Sequence, residues 1–209
     1  MEKTDLAKLY RSYYSAKPQP QRITVHKAAY VAIQGQGDPS QQEFAARVEA
    51  LYSVAYAVKF MCKWDGNDFV VPKLEGQWWF DTTAFPGISA AEAPVKIPRE
   101  KWQYRLLLQM PDMVCEELVQ EAIKQVLAKK RLQLAAGVHF FEMEEQACVQ
   151  MLHAGPFDRE PETLAVLQQF ITAQGLQQQG CHHEIYLSDF RKTPPEKLRT
   201  ILREPVKEA

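Results

Sequence analysis

The chain has 209 residues, 46% of them apolar and 24% charged, an ordinary globular composition that excludes a disordered tail protein. Its 25 Lys and Arg balance 26 Asp and Glu, and a formal charge of −1 supplies no positive field for a phosphate backbone, so no nucleic acid partner is expected. No stretch approaches the roughly 20 consecutive apolar residues of a membrane helix, and Glu2, Lys3, Asp5, Lys8 and Arg11 interrupt the start of the chain, so no membrane partner and a cytoplasmic location are expected.

In chain order, residues 1–20 form an N-terminal arm whose Tyr10, Tyr13 and Tyr14 are expected to pack on the domain. Ala28 to Gln34 reads as a strand with Val31 and Ile33 toward the helices and Tyr30 on the open face. Gly35, Gly37 and Asp38-Pro39 break it; Asp38 is the expected N-cap and Pro39 the first helical residue. Phe44, Val48, Leu51, Ala55 and Val58 then recur at helical spacing to about Phe60. Strands follow at 69–71 and 76–80, a proline-rich loop at 81–99, and a strand at 102–110 with Trp102, Tyr104, Leu106 and Leu108 on one face. Pro111-Asp112 is expected to open a second helix, with Val114, Leu118, Val119, Ile123, Val126 and Leu127 inward as far as Lys129, Lys130 and Arg131.

The second half repeats the first. Gln146 to Leu152 is a strand, His153 to Pro156 a break, and a helix with Leu164, Leu167, Phe170 and Ile171 inward starts near Pro161. Strands are expected at 183–190 and 198–203. An offset of 118 residues lays Ala29, Val31 and Ile33 on Ala147, Val149 and Met151, and Gly37 on Gly155. Each half reads strand, turn, helix, strand, strand, so repeat one spans about 28–110 and repeat two about 146–203 of one pseudo-symmetric domain, because either half alone buries only one sheet face.

Cys62, Cys115, Cys148 and Cys181 lie far apart and are expected as reduced thiols. Cys181, His182, His183 and Glu184 are neighbours on an extended stretch that alternates faces, so they do not converge on one ion; neither metal nor cofactor is expected. His26, His139 and His153 are isolated and read as surface or satisfied residues.

The same alternation sends Ile185 and Leu187 to the helix-covered face and Glu184 and Tyr186 to the opposite one. A carboxylate flanked by tyrosines on a concave, partly apolar surface is suited to proton transfer; a solvated strand glutamate is the plainer alternative. All four tryptophans, Trp64, Trp78, Trp79 and Trp102, fall within 39 residues, with Tyr52, Tyr56, Phe80 and Tyr104 nearby. They either fill the core or form a slot for a flat aromatic ligand, with Trp78 and Trp79 facing opposite ways. Glu75 reads as a turn residue between strands, with a role as second carboxylate as the alternative.

GQGDPS at 35–40, EALYSVAYAVKF at 49–60, DFVVPKLEGQWWF at 68–80, WQYRLLLQMPDMV at 102–114, and the later HAGPFD and HHEIYLSDF together resemble the GyrI-like small-molecule-binding proteins. The nearest likeness is to a stand-alone branch similar to the cyclopropanoid cyclopropyl hydrolases, which detoxify duocarmycin-type DNA alkylators. The resemblance implies an α+β fold of duplicated strand-helix-strand-strand (SHS2-type) units forming antiparallel sheet, helices on one face and a ligand cleft on the other where the halves meet. It further implies a buried acid in the cleft, at Glu184, and a flat hydrophobic or aromatic small molecule as partner. On that reading Glu184 deprotonates a water, Tyr56 donates a hydrogen bond to the dienone oxygen, and Tyr30, Tyr52, Trp78, Trp79, Trp102, Tyr104 and Tyr186 wall the ligand. A non-catalytic multidrug binder and a protein-interaction module of gyrase-inhibitor type are the alternatives. About 20 residues before the first strand are too few for a helix-turn-helix reader, so transcription regulation is not expected.

Overall fold

The computed structural model describes residues 3–89 and 92–209. Its elements in order are α1 (Leu6–Leu9), β1 (Gln21–Val25), β2 (Ala28–Gln36), α2 (Gln42–Trp64), β3 (Glu75–Trp79), α3 (Ala93–Lys96), β4 (Gln103–Met110), α4 (Glu116–Lys130), β5 (His139–Met143), β6 (Gln146–Ala154), α5 (Glu160–Ala173), β7 (Leu176–Gln178), β8 (His182–Tyr186) and β9 (Arg199–Glu208). The strands form one antiparallel sheet in the order β1-β6-β9-β8-β3-β4-β2-β5, with β7 added alongside β9.

The duplication is visible in this order. β2, β4 and β3 of the first half lie beside β8, β9 and β6 of the second, and the halves join where β3 pairs β8. The 118-residue offset relates the start of β2 to β6 and of α2 to α5. It also relates two strands that the sequence pattern did not single out, β1 and β5. Each crosses to the other half, β1 pairing β6 and β5 pairing β2, which ties the repeats together at both edges. The turn after the first strand of each repeat is built on Gly37 (φ 123°) and Gly155 (φ 132°), a backbone region that side chains with a Cβ avoid.

Helix starts depart from expectation. Asp38 caps its own turn, accepting from Ser40 N at 2.8 Å, and α2 begins four residues later without a side-chain cap, then runs to Trp64. Pro111 and Asp112 likewise form a turn ahead of α4, because the Val114 amide reaches back to the Pro111 carbonyl before the helical ladder starts. Around Phe69 there is an isolated bridge to Thr4 in place of a strand, and the 81–99 loop contains α3.

Both faces of the sheet are buried. On one, α2 and α4 cover Val31, Ile33, Leu106 and Leu108 of the first half, and α5 covers Val149, Leu202 and Val206 of the second. The other face, expected to be open, is covered by the N-terminal arm: Leu6, Tyr13 and Tyr14 pack on Tyr30, Ala32, Leu107, Ile185 and Ile201. Among the described residues no helix is long and apolar enough to cross a membrane.

Candidate functional site in the seam between the halves

At the β3–β8 seam Gly76 stands opposite Glu184, and Trp78 opposite His182. Tyr186 packs in the core beneath α2 with Trp78, whereas Ile185 packs with the arm, so His182, Glu184 and Tyr186 project to the helix side. The expected assignment of faces on β8 is therefore reversed. The physical reason is that an arm covers the second face: an apolar Ile185 is satisfied on either side, and apolarity no longer reports which side carries the helices.

On the helix side, Glu184 is 9% exposed and accepts a hydrogen bond from His182 Nε2 at 3.2 Å. His182 Nδ1 meets Glu204 Oε1 at 2.6 Å, and Glu204 also accepts from the Gln178 amide. Burial disfavours a charged His182, but the charges and hydrogen bonds of Glu204 and Glu184 outweigh it and raise the pKa well above the usual imidazole value, so the ring stays protonated. Trp78 Nε1 donates to the Tyr186 hydroxyl at 3.1 Å, which leaves the hydroxyl proton free for Glu184 or a ligand. Burial and then the charge of Glu184 hold that phenol well above its ordinary pKa.

Gly76 makes this contact possible. A Cβ there would lie 2.8 Å from Trp78 Nε1 and 2.9 Å from the Tyr186 oxygen, so the residue opposite Glu184 must be the smallest one.

A further carboxyl, absent from the sequence reading, completes the group. Glu160 is the first residue of α5, 8% exposed, and its Oε1 has no hydrogen-bond partner. Burial and the neighbouring Glu184 charge raise its pKa well above the carboxylate range, opposed in part by His182. An acid in the first turn of a helix ordinarily favours the dipole from the surface, so spacing alone does not distinguish Glu160 from its exposed neighbour Glu162.

Aromatic rings surround the acids. Phe44 stacks on Trp78 with centroids 5.9 Å apart, and Trp102 meets Trp78 edge-on at 6.4 Å. Phe157 and Phe190 pack edge-on against Tyr186 at 6.0 and 5.6 Å and against each other at 6.1 Å, closing the seam. Tyr52 is half-buried on α2 beneath the Arg191 guanidinium, 5.9 Å from its ring centroid.

Other expected site residues lie elsewhere. Tyr56 is 44% exposed, its ring against Tyr52 and Phe60 on the outer surface of α2. Tyr104, by contrast, belongs with the rings of the seam: it is buried over Gly35, its centroid 5.0 Å from Phe44 and 5.3 Å from Trp78. Trp79 projects to the arm side, where its Nε1 donates to Gln103 at 2.8 Å and Arg105 lies 5.8 Å over its ring.

Tyr30 is also on the arm side, in a second buried polar group. Glu75, fully buried on β3 and no turn residue, accepts from the Tyr13 hydroxyl at 2.6 Å and the Tyr14 hydroxyl at 3.4 Å, and meets His183 Nε2 at 2.8 Å. Tyr30 joins Tyr13 at 2.8 Å, and Tyr14 donates to Gln109 at 2.6 Å. Arg203 lies 4.2 Å over the Tyr13 ring and donates to the Tyr13 carbonyl at 2.6 Å. Burial lowers the His183 pKa against the pull of Glu75, and burial raises those of Tyr13 and Tyr30. These partners are supplied by the arm and strands, so the group is a structural lock between them.

Two surface concavities, about 340 and 470 Å³, open near the start of α2, lined in part by Asp38, Glu43 and Glu100 and by Arg47 and Leu134; neither reaches Glu184. Among the described residues no group of three His, Cys, Asp or Glu is placed to hold a metal ion. The helix side of the seam therefore combines buried acid, buried cation, an unpaired carboxyl oxygen and apposed rings.

Residues 18–207 match the GyrI-like small molecule binding domain, and the chain belongs to that family. An uncharacterized conserved protein from Listeria innocua is 37% identical, with TM-score 0.87 over 98% of this chain and 100% of its own. A hydrolase from the same organism is 39% identical, with TM-score 0.84 over 99% of this chain and 100% of its own. The EcmrR C-terminal domain, 11% identical with TM-score 0.60 over 91% of this chain and 98% of its own, shares the fold. No curated protein matches the chain.

Proposed function

We propose that the protein binds flat hydrophobic molecules in the helix-side seam and hydrolyses electrophilic cyclopropanes of the duocarmycin type by adding water, a detoxifying activity. The observation that carries the reading is Glu184: a buried carboxylate held by His182 Nε2 at 3.2 Å, beside Trp78 and Tyr186, in a chain 39% identical to a protein described as a hydrolase.

In the proposed step Glu184 takes a proton from water as the oxygen attacks the cyclopropane carbon. The strained C–C bond breaks and its electron pair moves through the dienone, making the ring aromatic and leaving the carbonyl oxygen as a phenolate that takes up a proton. Donation of a hydrogen bond to that oxygen, assigned from the sequence to Tyr56, falls better to Tyr186, whose hydroxyl is buried and already oriented by Trp78 at 3.1 Å. Glu204 fixes His182, and His182 fixes Glu184, so the base keeps one orientation. Phe157 and Phe190 must part for a ligand to enter, and their return would exclude bulk water.

The test is mass spectrometry of a cyclopropane-dienone incubated with the protein. A gain of one water is expected, slowed by at least about 100-fold in Glu184→Gln, since a positioned general base typically contributes ~10² to 10⁴. Turnover retained by that variant contradicts the assignment. Tight binding without any product favours the second reading, a sequestering protein, which the ring-lined seam also suits.

A further inference from the structure

The helix-side group contains three buried carboxyls and one imidazolium. Both His182 nitrogens are committed, to Glu204 at 2.6 Å and Glu184 at 3.2 Å, so its single positive charge is shared between those two acids. Glu160 receives no such partner: its Oε1 is buried and unbonded, three residues along the chain from Phe157, whose ring packs on Tyr186 at 6.0 Å. A buried acid with no hydrogen-bond donor, near another carboxylate and with the one nearby cation committed elsewhere, favours its neutral form. The other ionisable groups around the start of α5 do not compensate. His153 on β6 is engaged by Thr163 Oγ1 at 2.9 Å and the Pro156 carbonyl at 3.1 Å, and Arg159 pairs with the exposed Glu162. The corresponding first residue of α2 in repeat one is Gln42, so the acid belongs to the second half alone.

We propose that Glu160 sets the charge selectivity of the seam: it holds a proton in the empty site and surrenders it when a flat aromatic cation enters. With the proton on Glu160 the empty seam carries one net negative charge, His182 against Glu184 and Glu204, rather than two, and neutral rings enter without any proton movement. When a cation enters, the O–H bond of Glu160 breaks, its proton leaves to solvent, and two carboxylates face the ligand charge. Nothing is oxidised or reduced. The proposal rests on the seam being the binding site, but the position of the proton does not.

Two measurements test it. Infrared spectra of the ligand-free protein at neutral pH should contain the carbonyl band of a neutral carboxylic acid, and Glu160→Gln should lose it; a wild-type spectrum with carboxylate bands alone overturns the proposal. Calorimetric titration with N-methylacridinium, at slightly alkaline pH in two buffers of different ionisation enthalpy, should show release of about one proton per cation in the wild type and none in Glu160→Gln, with none for neutral acridine in either. Buffer-independent heats for the wild-type cation titration, or release persisting in the variant, overturn it. Binding of neither probe, with the infrared band present, sinks the seam as a site and the exchange with it, while leaving the proton on Glu160.

Discussion

At the scale of single residues, adjacency in sequence and adjacency in function separate cleanly at Trp78 and Trp79. They are neighbours on β3, yet Trp78 meets Tyr186 on the helix side and Trp79 meets Gln103 and Arg105 on the arm side. Trp78→Phe should therefore weaken binding of a planar ligand by about tenfold or more, while Trp79→Phe leaves it within about twofold, read by equilibrium titration; lost aromatic contact and a lost indole donor set that scale. Equal effects would contradict the placement. That the pair must face opposite ways was legible from strand periodicity, but which ring faced the helices was not. The same holds for Glu75: its partners Tyr13 and His183 lie 62 and 108 residues away, and no local spacing encodes such contacts. Tyr13→Phe leaves a buried Glu75 short of a donor and should cost about 1–3 kcal/mol in urea unfolding, with ligand binding retained; an unchanged midpoint would show the lock to be ornamental.

At the scale of elements, the repeat was readable because its signals are local. A glycine turn, a helical apolar stripe and two following strands recur, and the structure keeps the 118-residue offset through α2 and α5. β1 and β5 leave little trace in the sequence because their exposed and part-buried positions give no long apolar run, although each is a full partner in the sheet. The faces of β8 are hidden for a different reason, since the covering arm lets apolar residues be buried on either side of the strand. The seam itself depends on a missing side chain. Gly76→Ala places a methyl within 2.9 Å of both Trp78 Nε1 and the Tyr186 oxygen, and neither β3 nor β8 can retreat from the middle of the sheet. The substitution should cost about 1–3 kcal/mol and shift tryptophan emission as the Trp78–Tyr186 contact opens. Wild-type stability and emission in this variant would contradict the tight packing at the seam.

At the scale of the whole molecule, buried ionisable groups on the two faces of the sheet make stability depend on pH in opposite directions. His183 has a lowered pKa in the fold, so below about pH 6.5 the unfolded chain takes up a proton that the folded protein refuses, and stability falls on acidification. Glu160 has a raised one. Above the ordinary glutamate value near 4.5 the unfolded chain releases a proton that the folded protein keeps, so its contribution falls as pH rises toward the folded value. His182, also raised, contributes stability that is complete below about pH 6.5 and lost as pH climbs through its folded value. Relative to wild type, Glu160→Gln should gain stability as pH rises from about 4.5, by up to about 1.4 kcal/mol per pH unit, because the variant has no proton to lose. Parallel urea-midpoint curves for the two proteins would contradict a buried neutral acid.

The duplicated sheet thus carries two polar groups back to back on β3 and β8, one locking the arm and one facing the helices, and the second is the proposed site of function. A crystal structure with a planar aromatic compound bound tests that assignment most directly. The rings should lie between α2 and α5 against Trp78 and Tyr186, with Phe157 and Phe190 displaced and the Glu184 carboxylate facing the ligand. A ligand seated under the N-terminal arm, or in the acidic concavity beside Glu43 and Tyr104, would contradict it.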